Sequence, residues 1–494
     1  MTNPSEPSGG TPETAAQGAS TSAGTNPPAD GAPTPPATLQ SGNAPASQPP
    51  AAASGAASAT VDGAVASSEA FSFSKSYRQY VLGVLLFVYI FNFIDRQILA
   101  ILAQSIKTDL GLSDTQIGLL SGLAFGIFYA TLGIPIARLA DKYNRVNIIT
   151  ICLTIWSAMT AVSGLAQNFW HMLIARIGVG IGEAGGSPPS HSLLADYFPA
   201  NERASALGIY AIGVPVGILF GNLLGGWINE FFGWRNAFLV VGIPGILLAI
   251  LLRMTVKEPP RGHSETSARS VEHVPFLQVL KTMWGFKSFR QLSLGAATQA
   301  FVGYGAIAWM PAYLIRTHGM SSGEVGTALG LIIGVAGGVG AFLGGYLADR
   351  YGAKDIRWQM WIPAIGFLVA TPVSVIMFSI DYLWVILVLY IVPAFAVNLY
   401  SGPTFAMTQS LAPLAMRASA SALLLFIINI IGLVFGPTTV GFLSDIFQSS
   451  FAMPDTESLR WALILCSLVY LVSVYNYTQA AKHLRRDLAR TTEA

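Results

Sequence analysis

The chain has 494 residues, of which 52% are hydrophobic and only 11% are charged. A soluble globular protein carries about 25% charged residues, so this composition favours an integral membrane protein. The 27 basic and 25 acidic residues leave a net charge of +2, which argues against nucleic acid as a partner. The two cysteines, Cys152 and Cys466, lie in apolar stretches without metal-ligand or redox spacing, and we interpret them as packing residues.

Residues 1–74 differ in composition from the rest of the chain and are rich in Ala, Pro and Ser. Such a segment cannot bury enough apolar surface to fold, so we predict a disordered N-terminal tail. It has neither a basic region nor an apolar region of the kind found in signal peptides. A tether or a recruiting segment is one alternative, and a dispensable extension is the other.

Apolar stretches of membrane-spanning length follow the tail, and their pattern predicts twelve transmembrane helices. We place them at 80–104, 115–138, 146–166, 169–194, 203–228, 234–256, 290–315, 323–347, 357–380, 382–402, 414–440 and 457–479. The predicted fold class is an all-α integral membrane protein with two pseudo-symmetric six-helix bundles. The predicted parts are a bundle at 75–256, a cytoplasmic linker at 257–289, a bundle at 290–480 and a cytoplasmic C-terminal tail at 481–494.

The distribution of basic residues predicts the orientation of these helices. When connectors are assigned alternately to the two sides, one side holds most of the lysines and arginines. The other side holds Lys107, Arg235, Arg316 and Arg460. The positive-inside rule then places both termini in the cytoplasm.

An internal repeat relates the two halves of the chain. The connector ARLADKYNR around Asp141 is matched by GGYLADRYGAK around Asp349, which lies 208 positions later. PANERASA, which contains Arg203, is matched by PLAMRASA, which contains Arg417. Glycines at four-residue spacing also recur, at Gly118, Gly122 and Gly126, at Gly330, Gly334 and Gly338, and at Gly217, Gly221 and Gly225. Such stripes let helices approach closely, and two repeated halves are typical of a transporter.

These motifs resemble those of the major facilitator superfamily, and the resemblance covers residues 75–480. LADKYNR and LADRYGAK resemble its signature loop, although Ala137 and Asn144 stand where glycines are usual in the first copy. NFIDRQ in the first span and RIGVGIGEAGGSPP in the fourth resemble the spinster-like branch. That resemblance implies a bacterial relative of lysolipid and sphingolipid transporters, with proton-linked transport.

The first and fourth spans contain a group of buried polar residues that predicts proton coupling. Asn92 and Asp95 share one helix face, and Arg176 and Glu183, two turns apart, share another. Charged groups at membrane depth are functional candidates. We expect Asp95 to pair with Arg176 and stay ionised, whereas an unpaired Glu183 carries a proton near neutral pH.

Two alternatives to this coupling remain open. One is a fixed salt bridge that transfers no proton. The other is that Asp95 and Arg96 lie in the outer headgroup layer, or that Arg96 alone reaches the outer rim.

The corresponding spans of the second half contain no acid or base. We therefore predict that the first half couples energy and that the second half supplies an apolar, aromatic cavity wall. A cavity with one basic wall suits an amphipathic anion. The predicted substrate-binding residues are Asn92, Arg96, Gln299, Tyr304, Trp309, Tyr390, Asn398 and Tyr400. Packing is the alternative role for each of them.

Charged residues at the predicted cytoplasmic helix ends are candidates for gating. They can pair across the gap between the halves or meet helix N-termini, or they are ordinary solvated loop charges. These predicted gating residues are Asp141, Lys142, Arg145, Asp196, Arg203, Asp349, Arg350 and Arg417.

The sequence therefore predicts a secondary active transporter of an amphipathic or lipid-like organic anion. Transport is predicted to be driven by a proton gradient through rocker-switch alternating access. We expect no cofactor and no metal, a monomer, and a location in a bacterial inner membrane. The alternatives are an uncoupled facilitator, a multidrug or organic-acid transporter, and a transporter-like membrane sensor. An enzyme is not expected, because the histidines lack ligand spacing and nucleophile motifs are absent.

Overall fold

Residues 73–261 and 275–492 are described by the computed structural model, and all regular structure in these ranges is helical. The predicted tail lies outside the described residues except for its last two positions. Residues 262–274 of the predicted linker and the last two residues of the chain also lie outside them. We refer to residues 73–261 as the first half and to residues 275–492 as the second half.

The first half contains nine α-helices, several of which are separated by a single residue or a short break. They are α1 (Lys75–Leu110), α2 (Asp114–Ser121), α3 (Leu123–Lys142), α4 (Arg145–Ser163), α5 (Phe169–Glu183), α6 (Ser187–Tyr197), α7 (Ala200–Ala211), α8 (Gly213–Phe232) and α9 (Trp234–Thr255).

The second half contains eleven α-helices within its described residues, together with two π-helical turns and one 3₁₀ turn. The helices are α10 (Phe276–Gly285), α11 (Lys287–His318), α12 (Ser322–Leu331), α13 (Gly337–Gly352), α14 (Trp358–Ser379), α15 (Leu383–Leu399), α16 (Ser401–Leu411), α17 (Arg417–Ile428), α18 (Phe435–Phe451), α19 (Asp455–Ser467) and α20 (Val469–Thr492). The π-helical turns are Ile332–Ala336 and Asn429–Val434, and the 3₁₀ turn is Leu414–Met416.

Ten helical stretches in the described residues are long and apolar enough to cross a membrane. They are Lys75–Leu110, Asp114–Lys142, Arg145–Ser163, Asn201–Phe232, Trp234–Thr255, Ser322–Gly352, Trp358–Ser379, Leu383–Leu411, Arg417–Phe451 and Asp455–Thr491. Each corresponds to one of the spans expected from the sequence. The other two expected spans, 169–194 and 290–315, are also helical, as α5 with α6 and as α11.

The helix that was expected at 169–194 is broken directly after Glu183. Ala184, Gly185 and Gly186 form a turn, and α6 begins again at Ser187 with prolines at its first positions. Proline is tolerated there because the first turn of a helix needs no backbone donor. A side chain at Gly185 would lie 2.3 Å from the Cys152 sulfur, so the turn packs closely against α4. The break places the Glu183 side chain at the end of α5.

Two of the glycine stripes form the close helix contacts that were expected. A Cβ atom at Gly118 would lie 2.7 Å from the Pro437 carbonyl oxygen, and one at Gly126 would lie 2.8 Å from Val434. The stripe of Gly217, Gly221 and Gly225 packs against α1 within the first half.

The expected close contact of the third stripe is wrong at Gly338, because a Cβ atom there would meet nothing within 4 Å. The π-helical turn Ile332–Ala336 precedes it and adds a residue to the helical turn, which rotates Gly338 out of register. The close approach lies earlier instead. A Cβ atom at Gly326 would lie 2.2 Å from the Asn222 carbonyl oxygen of α8.

The helix bundle has two ends that differ in charge. The Tyr77 hydroxyl donates to the Thr255 carbonyl at 2.8 Å, so the start of α1 meets the end of α9. We name this end, which also carries Arg78 and Arg145, the basic face. The end of α1 meets the start of α9 through an ion pair between Asp109 and Arg235, and we name that end the opposite face.

The halves contact each other closely toward the opposite face. Within the described ranges, Ser322 donates to the Gly226 carbonyl at 2.9 Å, and the Gly323 amide donates to Glu230 at 2.8 Å. The Trp227 indole donates to Thr327 at 3.0 Å. These contacts join α8 to α12 and depend on the small residues at Gly226 and Gly326.

We expect Gly326→Ala to lower the free energy of unfolding by about 1–3 kcal/mol, because the added methyl group forces α12 away from α8. Gly338→Ala is the matched control, since its methyl group enters open space. Thermal unfolding of the purified variants in detergent measures both changes. Equal melting temperatures for the two variants would contradict the close contact.

Candidate functional site

A cavity of about 100 Å³ lies between the two halves. Its first-half wall contains two arginines, and its second-half wall is apolar apart from the Tyr304 hydroxyl. The lining residues are Phe93, Arg96, Gln97, Leu99, Ala100, Ser121, Phe125, Arg176, Ile218, Tyr304, Ile307, Ala308, Leu433 and Pro437. The cavity therefore has one basic wall and one apolar wall, as the sequence suggested.

An ion pair between Arg96 and Glu183 borders this cavity. The Arg96 Nε donates to Glu183 Oε2 at 2.7 Å, and the Glu183 side chain is completely buried. The alternative that Arg96 reaches the outer rim and the expectation that Glu183 is unpaired are therefore both wrong. The break after α5 explains this pairing, because it leaves Glu183 at a helix end beside α1.

Aromatic rings hold the guanidinium groups of Arg96 and Arg176 in the cavity wall. The Arg96 Cζ lies 4.3 Å from the ring centre of Tyr129 and 5.4 Å from that of Phe125. The Arg176 Cζ lies 5.3 Å from the same Phe125 ring. Cation–π contacts of this kind are worth about 2 kcal/mol or more where water is excluded. The sequence analysis missed Phe125 and Tyr129, because aromatic residues are common throughout apolar spans.

Asp95 is buried on the side of α1 that faces α4, where Thr160 lies beside its carboxylate. No hydrogen bond reaches Asp95 Oδ1 or the Arg176 Nε and Nη1 atoms from the described residues. The expected ion pair between Asp95 and Arg176 is thus not formed. Asp95 and Arg96 are separated by about 100° around the helix, and it is Arg96 that faces the cavity.

Several buried polar atoms around the cavity lack hydrogen-bond partners among the described residues. They are Asn92 Oδ1, Asp95 Oδ1, Ser121 Oγ, Thr160 Oγ1, Arg176 Nε and Nη1, Glu183 Oε1 and Gln299 Oε1. Each of these groups retains the capacity for a further hydrogen bond.

The predicted substrate-binding residues of the second half lie in different places. Tyr304 lines the cavity, and Gln299 is buried next to Tyr400. Tyr390 lines a separate, much smaller cavity of about 20 Å³.

Two other predicted substrate-binding side chains donate hydrogen bonds to backbone carbonyl groups instead. The Trp309 indole is fully buried and donates to the Pro437 carbonyl at 2.8 Å. The Asn398 amide donates to the Ala394 carbonyl at 3.3 Å. Neither lines the cavity, so the packing role that was left open fits Trp309 and Asn398 better.

The predicted gating residues all lie at the basic face. Asp141, Lys142, Asp349 and Arg417 are exposed and form no ion pair within the described residues. The Arg350 side chain donates to the Tyr346 hydroxyl at 3.0 Å, and that of Arg203 donates to the Ala195 carbonyl at 2.9 Å. None of these contacts crosses between the halves.

Arg145 has a structural role inside the first half. Its side chain is 1% exposed and forms ion pairs with Asp196 at 2.5 Å and with Glu258 at 2.6 Å. The Glu258 carboxylate also accepts the Val146 backbone amide at 3.0 Å. These bonds fasten the chain after α9 to the start of α4.

A charged cluster at the opposite face joins the two halves, and the sequence analysis missed it. Asp114 is completely buried and accepts two bonds from Arg316, at 2.7 and 2.9 Å. Lys107 bridges Asp114 at 2.9 Å and Asp455 at 2.7 Å. In addition, Asp445 accepts the backbone amides of Asp114 and Thr115, so an acid of the second half caps α2 of the first. We name the cluster of Lys107, Asp114, Arg316, Asp445 and Asp455 the outer latch.

One sequence signal pointed toward the outer latch. Ser113 and Gln116 form a capping box at the start of α2, and Ser321 and Glu324 form another at the start of α12. The second box lies 208 positions after the first, which is the offset of the repeated connectors. The repeat could thus have located both helix starts, although not the ion pairs that Asp114 forms with Lys107 and Arg316.

Comparison with known proteins gives the family. A family model of the major facilitator superfamily matches residues 85–437. The chain belongs to this superfamily. An MFS-type efflux pump of Mycolicibacterium smegmatis is 35% identical over 414 residues, which cover 82% of this chain and 93% of that protein.

Spinster proteins are also among the relatives of this superfamily member. Protein spinster homolog 1 of Xenopus tropicalis is 28% identical over 439 residues, covering 84% of this chain and 83% of that protein. A crystal structure of a bacterial homologue of the human lysosomal transporter Spinster, inward-facing and unoccupied, is similar with a TM-score of 0.78 and 34% identity. It covers 84% of this chain and 99% of that one.

These relatives confirm the resemblance to the spinster-like branch. They also indicate a multi-pass membrane transporter of the major facilitator fold rather than an enzyme.

A double-mutant cycle tests the buried ion pair. We expect Arg96→Gln and Glu183→Gln each to lower the free energy of unfolding by about 3–5 kcal/mol, because each leaves a buried charge uncompensated. The double variant should lose much less free energy of unfolding than the sum of the two single losses. Chemical unfolding of the purified transporter in detergent measures these values.

Arg78→Gln with Glu202→Gln is the control cycle. This pair, at 3.2 Å, lies partly exposed at the basic face and shares helix α1. Its coupling should stay below about 1 kcal/mol. Equal coupling energies in the two cycles would mean that the Arg96–Glu183 pair is not desolvated.

Proposed function

We propose that the protein is a secondary active transporter that moves an amphipathic, lipid-like organic anion by proton-coupled alternating access. The observation that carries this proposal is the Arg96–Glu183 ion pair, which borders the cavity between the halves. Asp95 and Arg176 lie close enough to this pair to interact with it electrostatically.

The proposed membrane arrangement has twelve helices in two six-helix bundles. The ten apolar stretches supply ten helices, α5 with α6 supplies one, and α11 supplies the last. The positive-inside rule places the basic face and both termini in the cytoplasm of a bacterial inner membrane. We propose a monomer, because each chain contains a complete cavity.

The proposed coupling is a competition for the Arg96 guanidinium. When Glu183 is ionised, it holds Arg96 at 2.7 Å. When Glu183 takes up a proton, the charge that holds Arg96 is lost, and the guanidinium becomes available to an anion in the cavity. Proton binding and anion binding then favour each other, as thermodynamic linkage requires. Asp95 and Arg176 are a second acid and a second base beside this pair. They offer Arg96 and Glu183 alternative partners of opposite charge.

An amphipathic anion suits the two walls of the cavity. Arg96 and Arg176 offer charge-assisted hydrogen bonds to a carboxylate or phosphate. Ile307, Leu433 and Pro437 offer an apolar surface to a hydrocarbon or aromatic body. Lysolipids, sphingoid phosphates and steroid-like carboxylates have this form, and each is larger than the cavity of about 100 Å³, so the halves must move apart to admit one.

Export of hydrophobic drugs or organic acids is the second candidate function. It is favoured by the similarity to the mycobacterial efflux pump, which spans 82% of this chain. A panel of lysophospholipids, sphingoid phosphates, aromatic carboxylates and cationic drugs distinguishes the two functions. Ligands should raise the melting temperature with concentration, because binding stabilises the folded state.

We expect the affinity for an anionic ligand from this panel to rise as the pH falls, because protonated Glu183 releases Arg96. In Glu183→Gln the affinity should be high and independent of pH. Flux in proteoliposomes should lose its response to a pH gradient in Glu183→Gln and in Asp95→Asn, whereas counterflow continues. A pH-driven flux that persists unchanged in both variants would contradict proton coupling.

The outer latch is proposed to close the opposite face in the inward-open state. Outward opening must separate Asp114 from Arg316, two groups that are almost completely buried. We expect Asp114→Asn to favour the outward-open state. In a Cys152→Ala/Cys466→Ala background, a Ser121→Cys reporter in the cavity wall should react about tenfold faster with an impermeant maleimide added at the opposite face, which corresponds to about 1.4 kcal/mol.

Asp109→Asn is the matched control for the latch. Asp109 lies at the same face but pairs with Arg235 inside the first half, so its loss should leave the labelling rate unchanged. Equal rates in Asp114→Asn and Asp109→Asn would mean that the latch does not hold the opposite face closed.

A further inference from the structure

A long apolar groove runs along the outer surface of the second half and encloses about 1010 Å³. One wall is formed by α12, the first π-helical turn and α13, the other by α14, and the floor by α15. Apart from Tyr351 and Trp358 at one end, the lining consists of aliphatic residues, phenylalanine and glycine. The groove shares no lining residue with the central cavity, so it is a separate site.

Close backbone contacts explain why the groove is open. Gly340 and Gly344 bring α13 against α15 so closely that a Cβ atom would lie 2.3 and 2.2 Å from the carbonyl oxygens of Phe395 and Leu399. On α14, a Cβ atom at Gly366 would lie 3.1 Å from the Cδ1 atom of the Leu399 side chain. The helices α13 and α14 therefore pack close to α15, and the space between their outer sides remains open.

The dimensions of the groove suit a hydrocarbon chain. It extends along the helix from Leu331 to Tyr351, which is roughly 30 Å at 1.5 Å per residue. This length matches the hydrocarbon thickness of a bilayer. Val335 is 63% exposed and Val369 is 50% exposed on its two walls, so the groove opens toward the surrounding lipid.

Aromatic residues mark the headgroup level at the basic-face end of the groove. The rings of Tyr351 and Trp358 lie 5.2 Å apart, and that of Trp361 lies 5.4 Å from Trp358. Tyrosine and tryptophan are enriched where the membrane meets water, because they have an apolar body and a polar edge.

The two ends of the groove differ in charge. At the basic face, Arg350, Lys354, Arg357 and Arg485 accompany two acids, Asp349 and Asp355. Near the opposite end, Arg460 pairs with both Asp381 and Glu457. The basic-face end therefore has a surplus of positive charge and the opposite end does not.

The positive surplus at the basic face remains accessible. Asp355 is held by Arg357 at 2.8 Å and by Arg485 at 2.9 Å. Hydrogen bonds from Arg357 hold the pKa of Asp355 well below its ordinary value. Lys354 is exposed and forms no ion pair within the described residues, and the only described partner of the Arg350 side chain is the Tyr346 hydroxyl. Both cations can therefore bind an external anion.

We propose that this groove binds an anionic phospholipid from the leaflet at the basic face. One acyl chain lies between α13 and α14, and the headgroup phosphate contacts Lys354 and Arg350 beside Tyr351 and Trp358. A basic residue near the membrane surface attracts an anionic lipid by about 1 kcal/mol, or roughly fivefold in affinity. A zwitterionic lipid fills the same groove without this gain.

Native mass spectrometry of the full chain tests the proposal, because it counts the lipids retained by the purified protein. The probes are dioleoylphosphatidylglycerol and dioleoylphosphatidylcholine, added separately. We expect the unaltered protein to retain phosphatidylglycerol more tightly. Lys354→Gln should weaken phosphatidylglycerol binding about fivefold and leave phosphatidylcholine binding unchanged. Arg253→Gln, which removes an exposed cation at the basic face of the first half, is the matched control.

A second pair of variants tests the groove itself. Val335→Trp places a large side chain in the groove from an exposed position and should abolish retention of both lipids. Val388→Trp is the control, since Val388 is equally exposed, at 63%, but does not line the groove. Equal retention of the two lipids by the unaltered protein, or unchanged retention in Val335→Trp, would overturn the proposal. Neither measurement depends on transport activity.

Discussion

A carboxylate and a guanidinium are held together at the edge of the central cavity, and the surrounding helices are arranged around them. Removing Glu183 and Arg96 from water costs several kcal/mol per ion, and their attraction at 2.7 Å does little more than offset that cost. Such a pair adds little to the free energy of unfolding, yet three helices position its two groups. The break after α5 places the buried Glu183 side chain next to α1. The rings of Phe125 and Tyr129 in α3 contact the Arg96 guanidinium. A pair that is nearly balanced in free energy can be separated by one proton, which is what the proposed proton coupling requires.

The sequence predicted the buried charged residues of α1 and α5 but not how they pair. Periodicity placed Asn92 and Asp95 on one helix face, and helix rise placed Asp95 and Arg176 at similar depth. Depth, however, does not determine how a helix is rotated about its axis. Arg96 lies one residue further on, faces the cavity and takes Glu183, whereas Asp95 faces α4. The break at Gly185 was the decisive feature, and a run of apolar residues does not reveal it.

The predicted gating residues show the same limit of sequence reasoning. The repeated connectors drew attention to Asp141, Asp349 and Arg417, which are exposed. The outer latch joins Asp114 to Arg316, and these residues lie 202 positions apart in the chain. Each resembles an ordinary loop charge, and only the packing of the two halves makes them partners. The glycine stripes were more informative, because close approach of backbones is a local property of small residues. Even so, one π-helical turn was enough to displace Gly338.

Helix α1 connects the cavity to the outer latch. It runs unbroken from Lys75 to Leu110 and carries Arg96 in the cavity wall and Lys107 in the latch. These two residues are eleven positions apart, or roughly 16 Å along the helix axis. A rigid helix cannot change its tilt at one of them without moving the other. Loss of the bond between Arg96 and Glu183 therefore alters the restraint on α1 that also positions Lys107 beside Asp114. Under the proposed coupling, a proton bound by Glu183 can in this way bias the closure of the outer latch.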